Sequence, residues 1–279
     1  MTTVKRVKDV KRAKRMVIVG GAGRMGRRLA AFFRGRGFHV SISDPAPAPR
    51  GFRAALAGET AAADIVIVSA SLHLSAVALR AVIAQQPRGL VFDIASVKAP
   101  LAPALVEALA AGVRVTSVHP MFGPEVRSFR GRDLIVCDVG DAAAARSARR
   151  LFSGCGLRMQ TLTLREHDAW VARSMGLAHL IALAAASTLA AEGITLKRAK
   201  LPGLSSTSFQ RLVAFLEPVL GQEAALTRGI QVENPAAAKV AAEFAEELRA
   251  WGELLRPENA GAFAKKLLAT RRLLEAGSR

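Results

Sequence analysis

"MVIVGGAGRMG", Met16 to Gly26, is the stretch that decides the fold. Its first half is an apolar run of strand length, and its second half holds Gly21, Gly23 and Gly26 in the pattern G-x-G-x-x-G. The run continues into "RMGRRLAAFFRGRG", where apolar residues recur at helical spacing. A strand that turns on glycine straight into a helix is the opening unit of a dinucleotide-binding sheet. Gly21 is read as the tight turn. Gly23 is read as the point where backbone approaches a pyrophosphate, and Gly26 as the close packing of helix on strand. With Ala22, Arg24 and Met25 they form a predicted cofactor loop. The free N–H groups at the helix start suit phosphates. Asp44 ends the next predicted strand, 18 residues after Gly26 (44 − 26). A carboxylate there accepts hydrogen bonds from an adenosine ribose and repels a 2′-phosphate, which predicts NAD over NADP. Arg24, Arg27 and Arg28 nearby weigh the other way.

Outward from this unit the pattern repeats. "FHVSIS", "ADIVIVSA", "GLVFDIA", "VRVTSV", "DLIVCDV" and "LRMQTLT" read as strands, separated by helix-length segments or turn-rich loops, as far as Thr163. Such alternation predicts an α/β Rossmann-like, doubly wound parallel sheet over residues 16–163. From Leu164 the strands stop, and Ala/Leu-rich helical segments break at "LPGLSS", "GQEA", "VENP" and "RPEN". Residues 164–279 are expected to be an all-helical domain, binding substrate and pairing with a second copy as a homodimer. Residues 1–15 read as a disordered basic tail.

Bulk properties narrow the function. The 279 residues carry 40 Lys and Arg against 22 Asp and Glu, a net charge of +18. Seven cations less Asp9 place +6 of this (7 − 1) in the first fifteen residues. Aromatic residues are 5% and Tyr is absent, so platforms for base stacking are poorly supplied and nucleic acid is not the expected partner. An anionic small molecule fits the charge better. Cys137 and Cys155 make neither a disulfide framework nor a metal site. Neither a signal peptide nor an apolar run of about 20 residues is read, so no membrane partner is expected and a cytoplasmic location is the default.

Ligands of open α/β sheets bind beyond the carboxyl ends of the strands. Three segments fall there. Ser69, Ala70 and Ser71 border the predicted cofactor. "DIASVK" (Asp93–Lys98) and "TSVHPMFGPEV" (Thr116–Val126) point into the same crevice. His119 is read on a loop stiffened by Pro120 and Pro124. It is the candidate general base, because an imidazole titrates near working pH.

"VIVGGAGRMG", "DIASVK", "HPMFGP" and "REHD" occur in this order, and together they resemble the prephenate dehydrogenases of tyrosine biosynthesis. The likeness runs from about Met16 to at least Glu192, and more weakly to about Trp251. It is nearest to bacterial forms that are often fused to a chorismate mutase, an activity not expected of this chain. The resemblance implies a small anionic cyclohexadiene substrate, hydride transfer from its C4 to NAD, and loss of CO2. It implies His119 as base at the 4-hydroxyl, Ser96 assisting there or at the nicotinamide, Lys98 helping to hold the substrate, and His179 facing it. One position departs. Where the family has an arginine that clamps a carboxylate, "LSSTSFQRLVAF" has Gln210, with Arg211 one residue on. One helical step is a turn of about 100°. Arogenate and 4-amino-4-deoxyprephenate therefore stay open beside prephenate. A non-catalytic NAD- or nucleic-acid-binding protein is the remote alternative.

Overall fold

The computed structural model describes residues 14–199, 203 and 205–276; of the predicted basic tail, residues 1–13 lie outside the described residues. Eight strands form one sheet: β1 (Arg15–Val19), β2 (His39–Ser43), β3 (Arg53–Ala54), β4 (Ile65–Val68), β5 (Leu90–Asp93), β6 (Val115–Pro120), β7 (Asp133–Asp138) and β8 (Arg158–Thr163). Their order is β3-β2-β1-β4-β5-β6-β7-β8. The pairs from β3 to β6 are all parallel, which gives the 3-2-1-4-5-6 arrangement of a doubly wound dinucleotide fold. The predicted class is thus the observed one. Ile65–Val68 is buried at every position, as expected for a β-branched strand covered on both faces.

Two details differ from the sequence reading. β7 pairs with β6 antiparallel, not parallel. Residues 121–132 between them hold no helix, and a parallel return needs a crossover of a dozen or more residues that is usually helical. β8 then returns parallel to β7 across a helix. The second detail is the short β3, which follows the proline-rich residues 44–51 and extends the sheet beyond β2.

Helices α1 (Arg24–Gly35), α2 (Glu59–Ala62), α3 (Leu72–Ile83), α4 (Ala102–Ala110) and α5 (Ala142–Leu151) connect the strands. α1 buries Gly26, Leu29, Ala30 and Phe33 along one stripe, and leaves arginines on the other face. Phe33, Phe92 and Phe152 meet edge to face in the core below. The left-handed residue of the glycine turn is Gly20, at φ 75°, one position before the predicted Gly21. A Cβ at Gly20 would lie 2.6 Å from the Ser69 carbonyl oxygen, and one at Gly26 would lie 2.5 Å from the Gly20 carbonyl oxygen. Glycine at these places is a packing requirement between backbones.

The remaining helices are α6 (Leu164–Val171), α7 (Leu177–Ala191), α8 (Leu196–Ala199), α9 (Thr207–Leu220), α10 (Ala224–Val232), α11 (Ala237–Gly252) and α12 (Ala260–Ala276). A π-helical turn, Ala172–Gly176, precedes α7. By contacts the chain forms two compact units: one runs to Val171 and includes Gln222–Asn234, and the other spans Ala172–Gly221 and continues from Pro235. The expected division after Thr163 lies eight residues before Val171 (171 − 163). α10 packs on α3 inside the first unit, where a Cβ at Gly229 would lie 2.6 Å from a Leu72 methyl. In the second unit, Ala182, Leu216 and Val219 form a small core. The alanines of α7 admit the closely packed α9. The helical run Leu164–Ala191 is long and apolar enough, with a mean hydropathy of 1.6, to cross a membrane by length and composition alone. From sequence, no apolar run of about 20 residues is read there.

Candidate active site

The glycine turn and the residues after β2 and β4 meet at the switch point between β1 and β4. Asp44 follows β2 directly. Its carboxylate accepts from the backbone N–H of Ala22 and of Ala46, both at 2.9 Å. The acid predicted from spacing is therefore anchored on the glycine loop, with an unused lone pair on each oxygen. α1 begins without a side-chain cap at Gly23. A Cβ at Gly23 would meet only the Gly20 carbonyl oxygen, at 3.3 Å. Unlike Gly20 and Gly26, Gly23 is not forced by packing. A bare helix start beside a cradle that a Cβ would fill is what a pyrophosphate needs. Ala22, Arg24 and Met25 complete the loop. Ser69 and Ala70 lie against Gly20, and Ser69 N–H donates to the Val19 carbonyl.

His119 is in a strand and not on a loop. It pairs with Ile135 near the carboxyl end of β6 and is 3% exposed. Its Nδ1 lies 2.8 Å from Nε2 of His167, and His167 Nδ1 lies 2.8 Å from Oδ1 of Asp168. Asp168 also accepts from the backbone N–H groups of Lys98 and Ala99, and its own carbonyl accepts from the Asn234 amide. α6 is thus tied to the end of the 93–98 segment and to the end of α10. Burial pushes both histidines below the ordinary imidazole range. For His119 the neighbouring His167 and Lys98 charges add to that effect. For His167 the hydrogen bond from its ring to Asp168 opposes it. His119 is a neutral imidazole at working pH, as a general base must be.

This neutrality predicts a pH dependence of folding. Unfolded, each histidine titrates near about 6.5. Folded, each holds its proton only at lower pH, so below about 6.5 the unfolded chain binds more protons. Stability is full above that value and falls as pH drops toward the folded pKa values, by up to about 1.4 kcal/mol per pH unit for each histidine still neutral. Urea midpoints should be lower at pH 5.5 than at 7.5. Replacing His167 by Gln should shrink the difference, and an unchanged pH slope would oppose the assignment.

Lys98 departs from expectation. It is fully buried, and its Nζ donates to Asp93 Oδ1 at 2.8 Å and to the Val118 carbonyl at 2.9 Å. Its charge is used inside the protein and cannot grip a substrate. Ser96 is half-buried on the segment following β5, the strand next to β6. In the second unit His179 is 6% exposed, and burial lowers its pKa. Gln210 and Arg211 are both exposed on α9. Sequence reasoning did not place His167 and Asp168 beside His119. "REHD" was in view, but only as part of a resemblance.

A doubly wound sheet with a glycine-turned first unit, an acid after β2 and a buried imidazole pair at β6 defines the nucleotide-binding half of a dinucleotide-dependent class of protein. Residues 51–161 match the family model described as "Prephenate dehydrogenase, nucleotide-binding domain". The chain is 30% identical over 215 residues to the T-protein of Enterobacter agglomerans, covering 75% of this chain and 53% of the relative. It is 30% identical over 184 residues to the 4-amino-4-deoxyprephenate dehydrogenase of Streptomyces pristinaespiralis, covering 61% of each. The chain thus spans between half and two thirds of the length of these relatives. Among solved structures, the prephenate dehydrogenase from A. aeolicus, in complex with hydroxyphenyl propionate and NAD+, shares the fold. Its TM-score is 0.73 at 20% identity, covering 95% of this chain and 98% of that one.

Proposed function

We propose that the protein is an NAD-dependent dehydrogenase of prephenate, forming 4-hydroxyphenylpyruvate and CO2. The observation that carries this reading is the buried, neutral His119 at the carboxyl end of β6, in a sheet whose glycine loop fits a dinucleotide. Gly21–Gly26, Asp44 and Ser69–Ser71 would hold NAD, which supplies the hydride acceptor. His119 accepts a hydrogen bond from the substrate 4-hydroxyl and takes its proton as C4 loses hydride. It returns that proton to the phenolate oxygen once the ring carboxylate has left as CO2. Ser96 assists at the same hydroxyl. His179 and the Gln210–Arg211 pair are the proposed substrate contacts of the helical region, residues 164–279.

Arogenate and 4-amino-4-deoxyprephenate are the alternatives. They are kept because Gln210 stands where the family carries arginine, and an amide holds a carboxylate less strongly than a guanidinium fork does. The test is the rate of NADH formation with each of the three substrates, with NADP in parallel. Prephenate with NAD is expected to give the highest kcat/KM. A clear preference for NADP would refute the role of Asp44, and a preference for an amino-substituted substrate would replace prephenate. The second unit leaves Leu248, Leu273 and Leu274 at 59%, 78% and 76% exposure. Apolar surface of this kind suits an interface between copies. The proposed homodimer predicts twice the chain mass in light scattering, and a monomeric mass would exclude it.

A further inference from the structure

We propose that His167 and Asp168 are positioning residues that fix which nitrogen of His119 is free: Nδ1 carries the proton and Nε2 is the acceptor. The tautomer follows from the hydrogen bonds and a neutral His167. Its catalytic meaning rests on the reading of His119 as the base.

The order of donors runs outward from Asp168. Backbone N–H groups can only donate. Lys98 N–H reaches Asp168 Oδ1 at 2.8 Å, and Ala99 N–H reaches Oδ2 at 2.7 Å, so both oxygens act as acceptors. His167 Nδ1, 2.8 Å from Oδ1, must then be the donor in that contact. A neutral imidazole has one N–H, so Nε2 of His167 is bare and accepts. Its partner at 2.8 Å is Nδ1 of His119, which therefore carries hydrogen. This leaves Nε2 of His119 with a free lone pair. The opposite order needs a cationic His167 donating through both nitrogens. Burial and the Lys98 ammonium disfavour that cation, while Asp168 and Asp93 favour it. From the adjoining β7, the Cys137 thiol is pushed up to about 12 and stays neutral. Burial is the largest of these effects and holds the His167 ring below the ordinary imidazole range.

Proton transfer is then written without ambiguity. The substrate O–H bond breaks and an N–H bond forms at Nε2 of His119. The resulting imidazolium already donates through Nδ1 to His167, whose other nitrogen faces the Asp168 carboxylate. The positive charge thus forms at the end of a prearranged chain leading to a negative one. A base held in the wrong tautomer would offer an N–H where the lone pair is needed, and such a defect is severe in other enzymes.

Long-range nitrogen–proton NMR on the full chain, labelled with 15N-histidine, reads the tautomers directly. Five histidines give few signals, and His119→Asn and His167→Leu assign two of them. At pH 7.5, both His119 and His167 are expected with protonated Nδ1 and bare Nε2. His119 with hydrogen on Nε2, or a cationic His167, would overturn the proposal. In turnover with the best substrate, His167→Leu is expected to lose about 10²-fold in kcat with KM changed less than about 2-fold. His167→Gln, whose amide oxygen can accept from His119 Nδ1, is expected to recover to within about 10-fold of wild type. Equal kcat for the Leu and Gln variants, or a wild-type kcat in the Leu variant, would refute positioning. If no cyclohexadienyl acid is oxidised at all, the functional reading fails while the spectrum still decides the tautomer. If His167→Leu does not fold, the wild-type spectrum with His119→Asn decides alone.

Discussion

His119→Asn is expected to lower kcat for NADH formation by about 10²–10⁴, the usual contribution of a positioned general base. Binding of NAD should change little, because the glycine loop and Asp44 belong to other segments of the sheet. Asparagine is similar in size, and its amide can keep one contact to His167. It has no lone pair basic enough to take the hydroxyl proton. The loss should therefore fall on kcat more than on KM. Titration of NAD by fluorescence and steady-state kinetics with the best of the three substrates separate the two effects. An Asn variant with near-normal kcat would remove His119 from the chemistry. The strand position makes the result cleaner than a loop would. β6 is buried throughout and paired on both sides, so the substitution acts on the ring and not on a mobile segment.

The parts of this molecule that were legible in its sequence are those fixed by local periodicity. The Met16–Gly26 unit combines a strand, a glycine turn and a helix in eleven residues, and each obeys a short-range rule. Asp44 was legible because strand length sets its distance from the turn. β7 was misread because strand direction is not local: "DLIVCDV" has the same pattern whichever way it runs. Only the helix-free connection of residues 121–132 carried the signal. His119 was found by type and neighbourhood, but assigned to a loop because its two prolines read as turn residues. Pro120 instead closes the strand, where an absent N–H costs little. His167 and Asp168 escaped because adjacent residues on a helix rarely act together. Here they do, because both are buried and the ring of one reaches the carboxylate of the next. Lys98 was taken for a substrate contact by resemblance, and nothing local marked its burial, since lysine is almost never fully buried unless paired.

That pairing carries the largest expected effect on stability. Lys98→Met should cost about 3–5 kcal/mol, as removal of one partner from a buried ion pair generally does. Both side chains of the Lys98–Asp93 pair are fully buried, and the nitrogen–oxygen distance is 2.8 Å. Asp93 has few other resources. Its Oδ1 also accepts the Ala95 N–H at 2.9 Å, while Oδ2 has no hydrogen-bond partner among the described residues. Without the ammonium, a carboxylate would remain in the sheet with one backbone donor. The Val118 carbonyl, one residue before His119, would lose its contact from Lys98 as well. Methionine keeps most of the side-chain volume, so the cost reports charge and hydrogen bonding more than a cavity. In thermal unfolding the loss should lower Tm by about 5–10 °C for a chain of this size. Adding Asp93→Asn to Lys98→Met removes the stranded charge and should recover a large part of the loss. A double variant as unstable as Lys98→Met alone, or a Lys98→Met protein as stable as wild type, would show that the pair is not what holds the end of β5 beside β6. The same experiment separates two roles for this lysine. If it gripped substrate, Lys98→Met would raise KM and leave unfolding unchanged; as an internal cation it does the reverse.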